Sequence, residues 1–211
     1  MTENIKGKKG IIFDCDGVLI ESKKANQTFY NLILQALDLP DMSRAQEDYV
    51  HSHTVRESIR HIVPEARFQE ALQAAKEISY TSVLAHIELQ PGLYELLQTL
   101  RDKGLLSGIN TNRTNTMDII LKRFALEKYF RPVMTSNMVS RPKPDPESLF
   151  RILELWGVGV REVVFIGDSQ VDAQAAQAAG IDFWAYKNSE LEAELHVFDF
   201  AYLSQVLRVE L

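Results

Sequence analysis

Short apolar runs that end in glycine or polar residues recur along the chain. The first is Lys9–Phe13, and similar runs are Leu105–Ile109, Pro132–Thr135, Val163–Ile166 and Ile181–Tyr186. A run of this length bounded by turn-forming residues is typical of a buried strand. Segments with apolar residues at every third or fourth position, typical of helices, separate these runs. This alternation predicts an α/β fold, a doubly wound Rossmann-like parallel sheet with helices on both faces.

One segment interrupts the alternation of strands and helices. Between residues 22 and 87 the apolar positions follow helical spacing, and the pattern contains no convincing strand. Phe29–Leu37 marks one amphipathic helix in this segment, and Phe68–Val83 marks another. We therefore expect a small all-helical cap domain at 22–87, inserted after the first strand. The remaining residues, 1–21 and 88–211, are expected to form the catalytic core domain.

Bulk composition narrows the class of protein. The 211 residues, of which 45% are hydrophobic and 25% charged, suit a soluble domain with a small insert. A net charge of −6 argues against nucleic acid and against an anionic membrane as partners. The N-terminal apolar run is too short for a signal peptide or a membrane span. The single cysteine, Cys15, fits a reducing compartment, so we expect a cytoplasmic protein, either a monomer or a homodimer.

Carboxylates follow two of the predicted strands. Asp14, Asp16 and Gly17 come directly after the first strand, whereas Asp168 and Asp172 lie at the start of a predicted helix. Because the carboxyl ends of parallel strands share one edge of a sheet, these side chains are expected to converge. Converging carboxylates repel one another unless a hard cation such as Mg2+ lies among them. A simple turn and helix capping are the alternative interpretations of these residues.

Two further segments carry groups suited to phosphate. Thr111 offers a hydroxyl and Asn112 an amide, and both can donate hydrogen bonds to phosphate oxygens or stabilise a turn. Lys143 lies in the segment Arg141–Pro146, where three prolines restrict the backbone. We therefore expect a positioned cation there, with a solvated lysine in a stiff loop as the alternative.

Four segments resemble the motifs of the haloacid dehalogenase superfamily, in particular its phosphoglycolate-phosphatase-like and β-phosphoglucomutase-like branch with a helical cap. They are Ile12–Leu19, Asn110–Asn112, Arg141–Pro146 and Phe165–Asp172, in this order along the chain. The resemblance implies a magnesium-dependent phosphatase that hydrolyses a small phosphorylated metabolite through an aspartyl-phosphate intermediate. An aspartate at position 16 favours phosphate transfer, because the resemblance implies that dehalogenases and phosphonatases lack it.

The resemblance also implies a role for each polar residue of the four motifs. Asp14 corresponds to the nucleophile and Asp16 to the general acid and base. We expect negative charge near Asp16, which favours the protonated form that a general acid needs. The implied roles are catalytic for Asp14, Asp16 and Lys143, phosphate-binding for Thr111 and Asn112, and metal-binding for Asp14, the backbone carbonyl of Asp16, Asp168 and Asp172.

Substrate selection is expected to involve the predicted cap. His51, His53 and Arg56 cluster there, and the resemblance implies that residues of the cap recognise the leaving group of the substrate. Arg56 is suited to bind a carboxylate or a sugar hydroxyl of that group. A solvated helix start is the alternative interpretation of this cluster. A phosphomutase shares all the core residues and is the second candidate activity. A non-catalytic binding protein of the same fold is the third candidate.

Overall fold

The computed structural model describes residues 6–114 and 116–210, and eight strands lie within them. Six strands form one sheet in the order β5-β4-β1-β6-β7-β8, and every neighbouring pair in it is parallel. The two short strands β2 and β3 form a separate two-stranded sheet. The strands are β1 Gly10–Phe13, β2 Ile20–Glu21, β3 Glu88–Leu89, β4 Leu106–Thr111, β5 Val133–Thr135, β6 Val163–Gly167, β7 Asp182–Tyr186 and β8 Leu195–Val197.

Helices connect the strands of the large sheet as far as β7 and also fill the segment between β2 and β3, whereas a loop at 187–194 joins β7 to β8. In the part of the chain that the structure describes, short 3-10 helices accompany them at Glu65–Arg67, Ser136–Met138 and Val160–Glu162. The α-helices are α1 Lys23–Ala36, α2 Arg44–Ser52, α3 Val55–Ile62, α4 Phe68–Glu77, α5 Tyr80–Leu84, α6 Leu93–Asp102, α7 Met117–Arg123, α8 Glu147–Trp156, α9 Gln170–Ala179 and α10 Phe200–Glu210.

The central strand β1 shows why the sheet is covered on both faces. All four of its residues are buried, and successive side chains of a strand point to opposite faces. Ile12 belongs to a buried cluster with Leu149 of α8 and Ala175 of α9. On the other face, the ring of Phe13 packs edge-on against Phe130 and Phe200, with ring centroids 5.8 and 6.4 Å apart. Burial of each such side chain stabilises the fold by about 1.5–3 kcal/mol.

The chain divides into two compact units. One unit is Glu21–Glu88, and the other comprises the chain up to Ile20 together with the chain from Leu89 onward. The Glu21–Glu88 unit has its own hydrophobic core, in which Tyr30, Ile59 and Phe68 are buried. Capping boxes begin two of its helices, with Ser43 before α2 and Thr54 before α3. The assignment of residues 22–87 to a cap domain, and of residues 1–21 and 88–211 to a catalytic core domain, stays a prediction.

The predicted fold class is confirmed, and the five predicted strands occur with ends within two residues of those expected. Strand β8 was not predicted, because a histidine separates its two apolar residues and the segment Leu195–Val197 is therefore not an apolar run. The single helix predicted at Phe68–Val83 was wrong. Ile78 and Ser79 have extended backbone angles, and they separate α4 from α5.

Part of the predicted core domain, residues 1–5 with 115 and 211, lies outside the described residues. None of the helices in the described chain is both long and apolar enough to cross a membrane.

The strand order determines which loops meet at the carboxyl edge of the sheet. Strand β1 lies between β4 and β6, and the chain runs outward from it in both directions. A reversal of this kind opens a crevice beyond the strand ends, where α/β proteins bind their ligands. The residues that follow β1, β4 and β6 are therefore expected to form the site.

Candidate active site

Asp14 extends β1 at the edge of this crevice. Its backbone N–H donates a 2.8 Å hydrogen bond to the carbonyl of Ile166 in β6, so the backbone is fixed up to this residue. Gly17 then turns the chain with a φ of +79°. A Cβ atom at Gly17 would lie 2.0 Å from Oδ2 of Asp168, far inside van der Waals contact. Glycine therefore allows the loop after β1 to approach the loop after β6.

Lys143 connects two carboxylates of the site. Its Nζ donates hydrogen bonds of 2.7 Å to Oδ1 of Asp14 and 2.6 Å to Oδ1 of Asp172. Burial acts to lower the pKa of Lys143, but the negative charges of Asp14 and Asp172 outweigh it and hold this pKa above its usual range. Lys143 is only 5% exposed, so the structure has a positioned cation here and not a solvated lysine.

Asn112 holds the lysine loop. Its side-chain amide donates a 3.1 Å hydrogen bond to the backbone carbonyl of Lys143. Asn112 was expected to donate this amide to phosphate, and the structure uses one of its N–H groups for the loop. An amide nitrogen carries two N–H groups, so the phosphate-binding role of Asn112 stays a prediction.

The start of α9 combines capping with a place in the site. Oδ2 of Asp172 accepts hydrogen bonds from the backbone N–H of Ser169, at 3.2 Å, and from its hydroxyl, at 2.6 Å. Because Oδ1 of Asp172 accepts from Lys143, the two interpretations of Asp172 do not exclude each other. The neighbouring Asp168 is held through its backbone carbonyl, which accepts a 2.9 Å hydrogen bond from the amide of Asn188.

Three carboxylates converge at this edge and form the carboxylate cluster. Asp14, Asp168 and Asp172 each offer an oxygen atom, and these atoms lie within 4.8 Å of one another. Burial raises the pKa of Asp14 to about 7 although Lys143 acts in the opposite direction. Burial and the charges of Asp172 and Asp14 raise the pKa of Asp168 well above its usual range. Crowded carboxylates of this kind, all with hard oxygen atoms, fit Mg2+, whose charge would stabilise their ionised forms.

Arg113 is a residue of the site that the sequence analysis missed. Its guanidinium donates two hydrogen bonds of 2.6 Å to the two oxygens of Asp16, a bidentate ion pair. Negative charge was expected near Asp16, and the carboxyl groups of Asp14 and Asp168 do interact with it electrostatically. Its direct partner is nevertheless a cation, Arg113. The available signal was position: Arg113 directly follows the Asn110–Asn112 motif at a strand end.

Thr111 ends β4 beside these groups. Its side chain is almost fully buried, and Oγ1 accepts a 3.1 Å hydrogen bond from the backbone N–H of Arg113. The hydroxyl hydrogen is not used in this bond and can be donated to an anion. Cys15, between Asp14 and Asp16, is a fully buried core residue, and burial raises the pKa of its thiol.

The three residues predicted to read the substrate lie in the Glu21–Glu88 unit, and each has contacts within that unit. Nδ1 of His51 lies 3.2 Å from the amide nitrogen of Asn26. The ring of His53 stacks on Tyr49 with centroids 3.8 Å apart. The guanidinium of Arg56 lies over the ring of Phe68, 5.1 Å from its centroid. A role of His53 and Arg56 in substrate binding stays a prediction.

Comparisons with known proteins agree on one family. Residues 11–186 match the model of the family described as haloacid dehalogenase-like hydrolase. A haloacid dehalogenase-superfamily hydrolase of subfamily IA, variant 1, from Geobacter sulfurreducens is 36% identical. Its crystal structure gives a TM-score of 0.78 and covers 98% of this chain and 100% of that chain.

Two further relatives are more distant. Phosphoglycolate phosphatase from Escherichia coli K12 is 28% identical over 82% of this chain and 78% of its own length. CbbY from Rhodobacter sphaeroides, solved in complex with phosphate, shares the fold with a TM-score of 0.79 at 20% identity. The match covers 93% of this chain and 96% of that chain.

Proposed function

Since the chain belongs to the haloacid dehalogenase-like hydrolase family, we propose that it hydrolyses a small-molecule phosphate monoester with Mg2+ through an aspartyl phosphate on Asp14. The family match over residues 11–186 confirms the resemblance predicted from the four motifs. It also confirms, with the relatives above, the predicted enzyme class of haloacid dehalogenase-like phosphatase. The observation that carries the finer proposal is the carboxylate cluster, with Lys143 hydrogen-bonded to two of its members.

Charge balance decides whether Asp14 can act as a nucleophile. An ionised carboxylate about 4 Å from a phosphate dianion meets a repulsion of about 8 kcal/mol at an effective dielectric constant of about 20. The Lys143 ammonium, 2.7 Å from Asp14, offsets part of this repulsion. In our proposal Asp14, Asp168, Asp172 and the backbone carbonyl of Asp16 hold Mg2+, which when bound supplies further positive charge at the phosphoryl oxygens.

The proposed reaction has two steps. In the first, a carboxylate oxygen of Asp14 bonds to phosphorus, the bond from phosphorus to the ester oxygen breaks, and Asp16 gives its proton to the leaving alcohol. In the second, water attacks the aspartyl phosphate and Asp16 takes a proton from that water. Inorganic phosphate leaves and the Asp14 carboxylate is restored. Thr111 and Asn112 are proposed to orient the phosphoryl oxygens by hydrogen bonding.

Asp16→Asn tests the acid and base role. We expect kcat to fall by a factor of about 100 or more, because asparagine can neither give nor take a proton at neutral pH. Steady-state release of phosphate measures the effect. Asp118→Asn is the matched control, since Asp118 is exposed on α7 and should leave kcat unchanged. An Asp16→Asn enzyme with wild-type kcat would remove Asp16 from the mechanism.

A substrate panel tests the activity itself. We expect phosphate release from small phosphate monoesters. The panel includes 2-phosphoglycolate because the relative from Escherichia coli K12 is a phosphoglycolate phosphatase. Chelation of divalent cations by EDTA should abolish this release, and added Mg2+ should restore it. Isomerisation of a sugar phosphate that needs a bisphosphate primer would instead identify a phosphomutase. A chain inert toward every ester with Mg2+ present would point to the non-catalytic binding protein.

The panel also bears on the expected partner, a small phosphorylated metabolite. The cytoplasmic location and the monomeric or homodimeric state stay predictions. Size-exclusion chromatography with light scattering measures the oligomeric state of the purified chain.

A further inference from the structure

Arg113 and Asp16 form a largely buried ion pair, and the proposed reaction gives Arg113 no role. Nε of Arg113 donates to Oδ2 of Asp16 and Nη2 donates to Oδ1, both at 2.6 Å. The side chains of the arginine and the aspartate are only 8% and 13% exposed. Exposed ion pairs contribute little because water and salt screen them, but a buried bidentate pair is held firmly.

Arg113 is itself anchored at several points. Its backbone N–H donates to Oγ1 of Thr111 at 3.1 Å, and its carbonyl accepts from the backbone N–H of Ser136 at 2.9 Å and from the Ser136 hydroxyl at 3.2 Å. On the side chain, Nη1 donates to Oγ1 of Thr116 at 3.3 Å. The backbone of Arg113 is therefore fixed by the ends of two neighbouring strands, β4 and β5, and its guanidinium is held by the residue before α7.

A fixed guanidinium plane determines the orientation of the carboxylate that it binds. Two parallel N–H···O bonds define both the position of Asp16 and the rotation of its carboxyl group. A general acid has to lie within hydrogen-bond distance of the oxygen that it protonates, so this orientation bears directly on the rate. A lysine at position 113 could supply charge but not this two-point geometry.

We propose that Arg113 is a positioning residue that orients the Asp16 carboxyl group for both of its proton transfers, to the leaving alcohol from the protonated acid and from water to the carboxylate. Each Asp16 oxygen that accepts from Arg113 keeps a second lone pair on which the transferred proton can be held. The proposal rests on the proposed function, specifically on the role of Asp16. Arg113 acts through Asp16, so its contribution requires a functional carboxyl group at position 16. The contribution of Arg113 also depends on the substrate, because an alcohol that is a poor leaving group needs protonation more than a good leaving group does.

A double-mutant cycle with two substrates tests the proposal. Arg113→Met is made in the wild type and in Asp16→Asn, and kcat and KM are measured for phenyl phosphate and 4-nitrophenyl phosphate with Mg2+. For phenyl phosphate we expect kcat to fall about 10- to 100-fold with KM within about threefold. The loss should be smaller for 4-nitrophenyl phosphate, whose leaving group departs without full protonation. In Asp16→Asn, Arg113→Met should change kcat less than about twofold.

Other outcomes would overturn the proposal. If the fold-losses in kcat of Arg113→Met and Asp16→Asn multiply in the double variant, Arg113 acts independently of Asp16. A raised KM and weaker inhibition by inorganic phosphate, with kcat unchanged, would make Arg113 a phosphate ligand instead. If Arg113→Met does not fold, Arg113→Lys gives the same comparison. Where both variants fold, the kcat of Arg113→Lys for phenyl phosphate should lie between those of the wild type and Arg113→Met. Arg123→Met, on exposed α7 surface, is the control for loss of an arginine.

The cycle also separates this proposal from the proposed function. A folded wild type that releases no phosphate from either ester, or from the metabolite panel, contradicts the proposed function. An active wild type with multiplying losses contradicts only the role of Arg113.

Discussion

Asp14→Asn is expected to abolish turnover, with a loss in kcat of at least about 10⁴-fold, because the amide cannot attack phosphorus and form an acyl phosphate. Asparagine has nearly the same size as aspartate, so the packing around this buried position should persist. The exchange also removes one of the three carboxyl groups of the carboxylate cluster. We therefore expect a folded but inactive protein.

Trapping the intermediate distinguishes a covalent mechanism from direct attack by water. Wild-type enzyme quenched in acid during turnover should carry one phosphoryl group, and peptide mapping should place it on Asp14. Asp14→Asn should carry none. The exposed control Asp118→Asn should be labelled and active like the wild type. Wild-type turnover by Asp14→Asn, or a phosphoryl group on another residue, would end the proposed mechanism.

Lys143→Met is expected to have the second-largest effect, acting on both stability and activity. The ammonium is the direct hydrogen-bond partner of Asp14 and Asp172, and its removal leaves these buried carboxylates without that counter-charge. Breaking a buried ion pair by removing one partner costs about 3–5 kcal/mol. We also expect kcat to fall at least about 100-fold, because a fixed positive charge next to the nucleophile is lost.

Urea unfolding in EDTA measures the stability part of this prediction. The free energy of unfolding should fall for Lys143→Met, whereas Lys122→Met, at an exposed position of α7, should match the wild type. Added Mg2+ should restore part of the lost stability, because a bound cation would also neutralise the carboxylate cluster. A Lys143→Met protein as stable and as active as the wild type would contradict the proposed role of the lysine.

The differences between sequence prediction and structure occur where long-range contacts outweigh local pattern. The segment Phe68–Val83 has apolar residues at helical spacing throughout, yet extended backbone at Ile78 and Ser79 divides it. Strand β8, Leu-His-Val, is neither an apolar run nor long enough to show alternation, and its pairing with β7 makes it a strand. Local patterns are most reliable for long elements whose own periodicity determines the buried face.

The site shows the same division between local and long-range information. Asp14, Thr111 and Asp168 could be selected because each follows an apolar run, and Lys143 because it lies within a rigid proline segment, which are local features. Arg113 also directly follows a strand and a motif, but this position alone does not single it out, because an arginine after a strand is an ordinary surface residue until its partner is known.

The sequence by itself therefore determined the parallel α/β fold, the helical segment between the first two motifs, the family, and the loops that carry reactive groups. Only the tertiary structure decided which atoms meet. Arg113 pairs with Asp16, 97 positions away, and Asn112 holds the carbonyl of Lys143, 31 positions away. The physical reason is that strand order and register determine such pairings, and these follow from packing of the whole core rather than from neighbours in the chain.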